Sequence, residues 1–199
     1  MKAISPEISP ELLQSRKRLG IDLWDEMWEG ELHMPPAPNR THQDFQWEFV
    51  YWLRSFWAKP SGCRVHGSVN VASIGGWPKD FRVPDIVLLT PDRFSIDHDE
   101  YFEGPPAVVI EIRSPGDESF EKLPFYAQLG VPEVWIIARD VKTPLIFVLV
   151  EGEYQELEAT SHGWLESRMT GILLRAENGG KLGIRLKDNP ASLRLLPEE

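Results

Sequence analysis

The chain is poor in cysteine. Cys63 is the one thiol in 199 residues, so no disulfide can form within it, and a reducing cytoplasm is the expected setting. Long apolar runs are missing too. No stretch approaches the ~20 apolar residues that span a bilayer, and MKAISPEISPELLQ at the start has no apolar core of the signal-peptide kind. A soluble protein with no membrane partner is expected. Basic charge is scarce: 21 Lys and Arg against 31 Asp and Glu leave a formal net charge of −10. That excludes a surface generally coated with positive charge for nucleic acid, though not a local basic groove. There is no G-x-G-x-x-G, no P-loop and no G-x-S-x-G elbow around Ser114. One cysteine and five scattered histidines make no zinc pattern.

What is present is enough apolar material for a core. Hydrophobic residues make up 42% of the chain, with eight Trp and nine Phe, which fits one domain across residues 1–199. Residues 1–9 read as extended. Ser9 and Pro10 then read as an N-cap and first helical position, and ELLQSRKRL as a short helix ended by Gly20. LWDEMWEGELHM reads as a hairpin turning at Glu29-Gly30, and MPPAPN as a rigid connector. Thr41 and Asp44 resemble a capping box for a helix over about 42–57. Phe45, Phe49, Leu53 and Phe56 form one stripe of that helix; Trp47, Val50, Tyr51 and Trp57 make its other side apolar as well. A helix so apolar all round is central or is covered by a second subunit, and a homodimer is the expectation that follows.

Further on, CRVHGSVNVASI alternates like a strand, Gly75 to Lys79 reads as a turn, and 91–104 as an acidic polar loop. Pro115-Gly116 breaks the apolar run before it. A helix over about 121–129 follows, with Pro124 confined to its first turn and Gly130 as C-cap. EVWIIA, LIFVLV and YQELEA read as strands, and MTGILLRA and KLGIRL as two last strands joined at Gly179-Gly180. The whole predicts an α/β (α+β) fold with a central mixed sheet flanked by helices, an N-terminal hairpin and C-terminal β additions.

The chemistry concentrates between Arg82 and Lys122. RVPDIVLLT and PPAVVIEIRSP are two apolar runs of strand length, each carrying one acid, Asp85 and Glu111. Runs with so little alternation suit strands covered on both faces, where a carboxylate is costly unless a cation or donors meet it. One reading is a divalent-metal site: two carboxylates on adjacent strands plus a backbone carbonyl suit a hard cation such as magnesium. The blander reading is a structural cluster, with Asp85 bonded to a turn and Glu111 paired with Arg113 or Lys122. Lys122 at a helix start is usually solvated, and His42 in a first helical turn is usually a satisfied polar residue. Two carboxylates could formally serve glycoside hydrolysis as well.

Pro84-Asp85 followed by Glu111-Ile112-Arg113 resembles the PD-(D/E)xK nuclease superfamily. The segment GPPAVVIEIRSPGDESFEKLPFYAQLGVPEVWII, with EMWEGELHMPPAPNRTHQ before it, resembles the Uma2 family of restriction-endonuclease-like proteins over roughly residues 20–175. The resemblance implies a nuclease core and a metal-dependent endonuclease acting on DNA, with Mg2+ or Mn2+ as cofactor. It implies metal ligation by Asp85, Glu111 and the Ile112 carbonyl. Arg113 stands where the superfamily has its lysine. Because a guanidinium cannot act as a base, Lys122 takes the lysine role by resemblance and Arg113 at most a phosphate contact. Glu26 and His42 match the family's N-terminal polar positions, which makes them catalytic candidates that would contact the metal's water shell or the substrate. A non-catalytic nucleic-acid- or protein-binding module on the same fold is the rival reading.

Overall fold

The computed structural model describes residues 3–5 and 9–198; the rest of the segment expected to be extended, Pro6 to Ile8, lies outside them. In chain order the elements are β1 (Ala3–Ser5), α1 (Pro10–Leu19), β2 (Glu26–Trp28), β3 (Glu31–Met34) and α2 (Arg40–Trp52). α2 runs on through a π-type segment, Leu53–Ala58, into one-turn α3 (Lys59–Ser61). Then come β4 (Arg64–Gly67), β5 (Asn70–Ala72), β6 (Phe81–Arg82), β7 (Ile86–Leu89), a 3-10 segment Pro91–Ile96, β8 (Tyr101–Glu103), β9 (Val108–Arg113) and α4 (Leu123–Leu129). The last part is all β: β10 (Glu133–Ala138), β11 (Pro144–Val150), β12 (Glu153–Glu156), β13 (Leu165–Glu166), β14 (Ile172–Glu177), β15 (Lys181–Leu186) and β16 (Asn189–Leu196).

Three sheets result. The central one has the order β12-β11-β10-β9-β7-β4. It is mixed, because β9 and β10 run parallel while its other neighbours are antiparallel. A parallel pair needs a crossover, and α4 supplies it. The N-terminal sheet has the order β1-β3-β2-β6-β5-β8, and β13 to β16 form a C-terminal meander.

The apolar runs of β9 and β10 are explained by cover on both faces. Val108, Ile110, Ile112, Trp135 and Ile137 point into a core shared with Phe45, Phe49 and Trp52 of α2 and with Ile172, Leu182 and Ile184 of the C-terminal sheet. Val109, Val134 and Ile136 point the other way, onto Phe125 and Tyr126 of α4. Period-two alternation puts Glu111 on the α4 side with Val109. α2 is therefore central, as its composition implies, but not covered all round: Trp47 and Tyr51 stay 69% and 70% exposed.

Several local expectations are corrected. The N-cap of α2 is Asn39, whose side chain accepts from the His42 N–H at 2.9 Å; Thr41 and Asp44 are no capping box, and Asp44 pairs with Arg40 one turn back. α4 starts at Leu123 after Lys122, with Pro124 in its first turn as expected. CRVHGSVNVASI is two strands in two different sheets, broken at Ser68, whose φ is 50°. The polar loop at 91–104 contains β8, which pairs with β5. The sequence pattern gives no sign of β16, since Asn-Pro-Ala-Ser reads as loop; an edge strand tolerates Pro190 because its missing N–H faces away from the ladder.

The cap assignment has a direct check. Asn39→Ala should cost about 1 kcal/mol of stability, whereas Asp44→Ala, which removes one exposed pair, should cost under about 0.5 kcal/mol. Urea midpoints of the two variants decide between the two caps.

Candidate active site

The register of β7 and β9 builds the site. Ile86 opposes Ile110 and Val87 opposes Val109, so continuing the ladder by one position sets Asp85 opposite Glu111. Asp85 lies just before the ladder begins, where two chain segments meet it. Its carbonyl accepts from the Ser68 N–H at 3.0 Å and from Gln46 Nε2 at 2.6 Å. Its carboxylate accepts from the Ile112 N–H at 2.6 Å and meets His42 Nε2 at 2.7 Å. His42 and Gln46 stand four apart on α2, one face of one turn, and hold the side chain and main chain of the same residue.

Glu111 is held in the same manner by α4. The Tyr126 hydroxyl donates to Glu111 Oε1 at 2.7 Å, and Lys122 Nζ lies 3.2 Å from Oε2. These two donors are again four residues apart. Lys122 Nζ also reaches Glu26 Oε1 of β2 at 2.7 Å. Glu26 in turn accepts from Trp28 Nε1 at 2.8 Å and from the Val83 N–H at 2.9 Å. Glu26, Glu111 and Lys122 are buried, at 3%, 3% and 9% exposure, while the Asp85 side chain keeps 20%. The cluster forms the floor of a cleft of about 490 Å³, walled by Trp24 and Pro35 to Pro38 on apolar sides and by Ser114 to Ser119 and Arg139 on polar ones.

Charge in this floor is unbalanced. Three carboxylates share one ammonium. Burial pushes the Glu111 carboxyl up to about 8, helped by the like charges of Asp85 and Glu26; Lys122 and the Tyr126 hydroxyl pull it back only in part. Burial alone would lower the Lys122 ammonium, but Glu111, Glu26 and Asp85 together outweigh it and hold that group above the ordinary lysine range. Burial, then Glu111 and Glu26, also keep the Tyr126 phenol well above its usual value. Lys122 is thus cationic at neutral pH, and the surplus falls on the carboxylates.

That surplus is what a hard divalent cation would relieve. Asp85 and Glu111 offer carboxylate oxygens. The Arg113 carbonyl accepts from the Arg139 N–H just after β10, so alternation turns the Ile112 N–H and carbonyl to the opposite side, toward Asp85. Two carboxylates and one carbonyl, with waters completing the shell, suit such an ion. Among the described residues no three His, Cys, Asp or Glu side chains are gathered as a ready cage. A cation there would draw on two side chains plus main chain.

The residues singled out from the sequence separate into two groups. Glu26, His42, Asp85, Glu111, Ile112 and Lys122 all line the one cleft. Arg113 does not: its guanidinium lies over the Phe120 ring, 4.9 Å from the centroid. The arginine in the lining is Arg139, which donates to Ser114 Oγ at 3.3 Å and pairs with Asp140 at 2.8 Å. Tyr126, Gln46 and Arg139 carry no sequence signal by themselves. The first two become legible only through their four-residue offset from Lys122 and His42. Arg82 was also missed: it is sandwiched between Trp28 and Phe125, 4.3 and 4.1 Å from their centroids, and ties the hairpin to α4.

Comparison with known proteins bears on the family and the fold. The model of the Uma2 family, described as "Putative restriction endonuclease", matches residues 22–175. A similar solved structure is that of a "putative nuclease belonging to DUF820" from Anabaena variabilis, at 21% identity over 67% of this chain and 75% of that one, with a TM-score of 0.54. At that identity the likeness supports the fold, a restriction-endonuclease-like core. No curated protein matches the chain.

The raised Glu111 value has a consequence for stability. An unfolded glutamate releases its proton near 4.5 and the folded one near 8. Between these values the native state binds the extra proton, so this group's contribution makes stability fall as pH rises from about 4.5 to about 8. Urea midpoints across that window should show a shallower decline for Glu111→Gln than for the wild type; an unchanged slope would contradict the assignment. Lys122→Met, which strands the buried Glu26 carboxylate, should cost roughly 3–5 kcal/mol at neutral pH.

Proposed function

The chain belongs to the Uma2 family, and from that premise we propose that it is a metal-dependent endonuclease that hydrolyses phosphodiester bonds in DNA, acting in the cytoplasm. The supporting observation is the meeting of Asp85 and Glu111 across neighbouring strands at the floor of an open cleft, with Lys122 Nζ 3.2 Å from Glu111. Asp85, Glu111 and the Ile112 carbonyl would hold Mg2+, or Mn2+ in its place. Such a cation, when bound, supplies Lewis acidity toward a phosphoryl oxygen and lowers the pKa of a bound water.

The protein's own groups have separate tasks. Lys122 stays protonated, so it does not take a proton from water. It donates to anionic oxygen and stabilises charge that grows on the phosphate. Glu26 fixes where Lys122 can reach. His42 donates through Nε2 to the Asp85 carboxylate and sets its orientation, as outer partners of metal-binding carboxylates do. Gln46 does the same for the Asp85 main chain. Glu26 and His42 thus act as positioning residues.

A second reading has an observation behind it. Both oxygens of Asp85 and both of Glu111 already have protein donors. A binding module that keeps the scaffold without cutting would look the same. A homodimer is a further proposal, supported by Trp47 and Tyr51, exposed one turn apart on α2. Sedimentation at micromolar concentration should give twice the chain mass, and a monomer mass would remove it.

Cleavage decides between the first two readings. With magnesium or manganese, plasmid and single-stranded circular DNA are incubated with clean preparations. Asp85→Asn and Glu111→Gln should each lower the rate by on the order of 10²–10³-fold. Cutting that persists in both variants defeats the nuclease assignment. DNA binding without any turnover in the wild type favours the module.

A further inference from the structure

We propose that the cleft takes single-stranded DNA in preference to duplex; this inference rests on the nuclease reading above and names its substrate form. The first reason is depth. Glu111 and Glu26 are each 3% exposed and Lys122 is 9% exposed. A phosphate must enter the cleft to come near them. A strand held in a duplex carries its complement along, past the walls that Trp24 and Pro35 to Pro38 form. A lone strand can be drawn in one nucleotide at a time.

The second reason is the kind of attraction on offer. Duplex binding draws its free energy chiefly from many phosphate contacts made by Lys and Arg. Here the lining has two such cations, Lys122 and Arg139. Both already meet carboxylates: Lys122 lies on Glu26 and Glu111, and Arg139 on Asp140. The chain as a whole carries −10. Single strands bind differently, through bases laid against aromatic and apolar side chains, with few phosphate contacts needed. Trp24 is half-buried and lines the cleft from the turn just before β2; the proline wall offers apolar surface in the same lining. Arg139 is placed to take one phosphate.

Binding is measured separately from cutting. A fluorescein-labelled 12-mer, alone or annealed to its complement, is titrated with Asp85→Asn protein in magnesium at fixed salt, and anisotropy is read. The single strand should bind at least ~10-fold more tightly than the duplex. Adding Trp24→Ala should weaken single-strand binding by roughly 10-fold, the effect of losing one stacked base, and leave duplex binding alone. Trp24→Phe should restore most of it, which a folding defect would not allow. Equal or tighter duplex binding, or an indifferent Trp24→Ala, overturns the inference. The nuclease reading is judged by wild-type cleavage alone. Cutting combined with duplex-preferring binding removes only the strand preference; single-strand binding with no cutting of either DNA removes only the nuclease.

Discussion

One ammonium group organises this molecule. Lys122 Nζ sits between Glu26 of the N-terminal hairpin and Glu111 of the central sheet, and its own backbone opens α4. Three elements that share no ladder are thereby joined at one buried point. Breaking that point leaves charge stranded in a poor solvent, which is why removal of one partner of such a pair costs more than the pair itself contributes. The same excess of carboxylate that keeps Lys122 cationic keeps the site receptive to a further positive charge. A cation bound there would draw on the same electrostatic cause as the structural cohesion.

Helix periodicity does the positioning. His42 and Gln46 from α2 grip Asp85, and Lys122 and Tyr126 from α4 grip Glu111; both grips use a four-residue offset. The central sheet makes this possible because each helix lies over a different face while the two acids emerge side by side at one end of β7 and β9. Ser68 contributes by its bend. β4 pairs with β7, the chain turns at Ser68, and β5 departs to another sheet, so the main chain passes close enough for the Ser68 N–H to reach the Asp85 carbonyl. The cleft opens where the two sheets diverge.

Much of this was legible from residues alone. Asp85 and Glu111 announce themselves as acids inside apolar runs, because burial makes a carboxylate conspicuous. The hairpin at Glu29-Gly30 and the α1 caps follow from local backbone chemistry. Asn39 takes the α2 cap rather than Thr41, in keeping with asparagine's stronger capping preference. What escaped depends on tertiary partners. β16 and β8 are edge strands held by neighbours rather than by their own propensity. Arg113 and Arg139 illustrate the limit most clearly. Spacing assigns the first to the site, yet its guanidinium finds the Phe120 ring instead, and the arginine in the cleft comes from the turn that follows the parallel neighbour β10, some twenty-six positions later in the chain.

The scatter of the cleft's floor along the chain has one more effect. Glu26, His42, Asp85, Glu111 and Tyr126 come from five separate segments, and no fragment growing from the amino end contains all of them before position 126 has been made. A nascent chain on the ribosome therefore carries isolated acids with nothing to hold them together. The cleft's floor exists only in the finished fold.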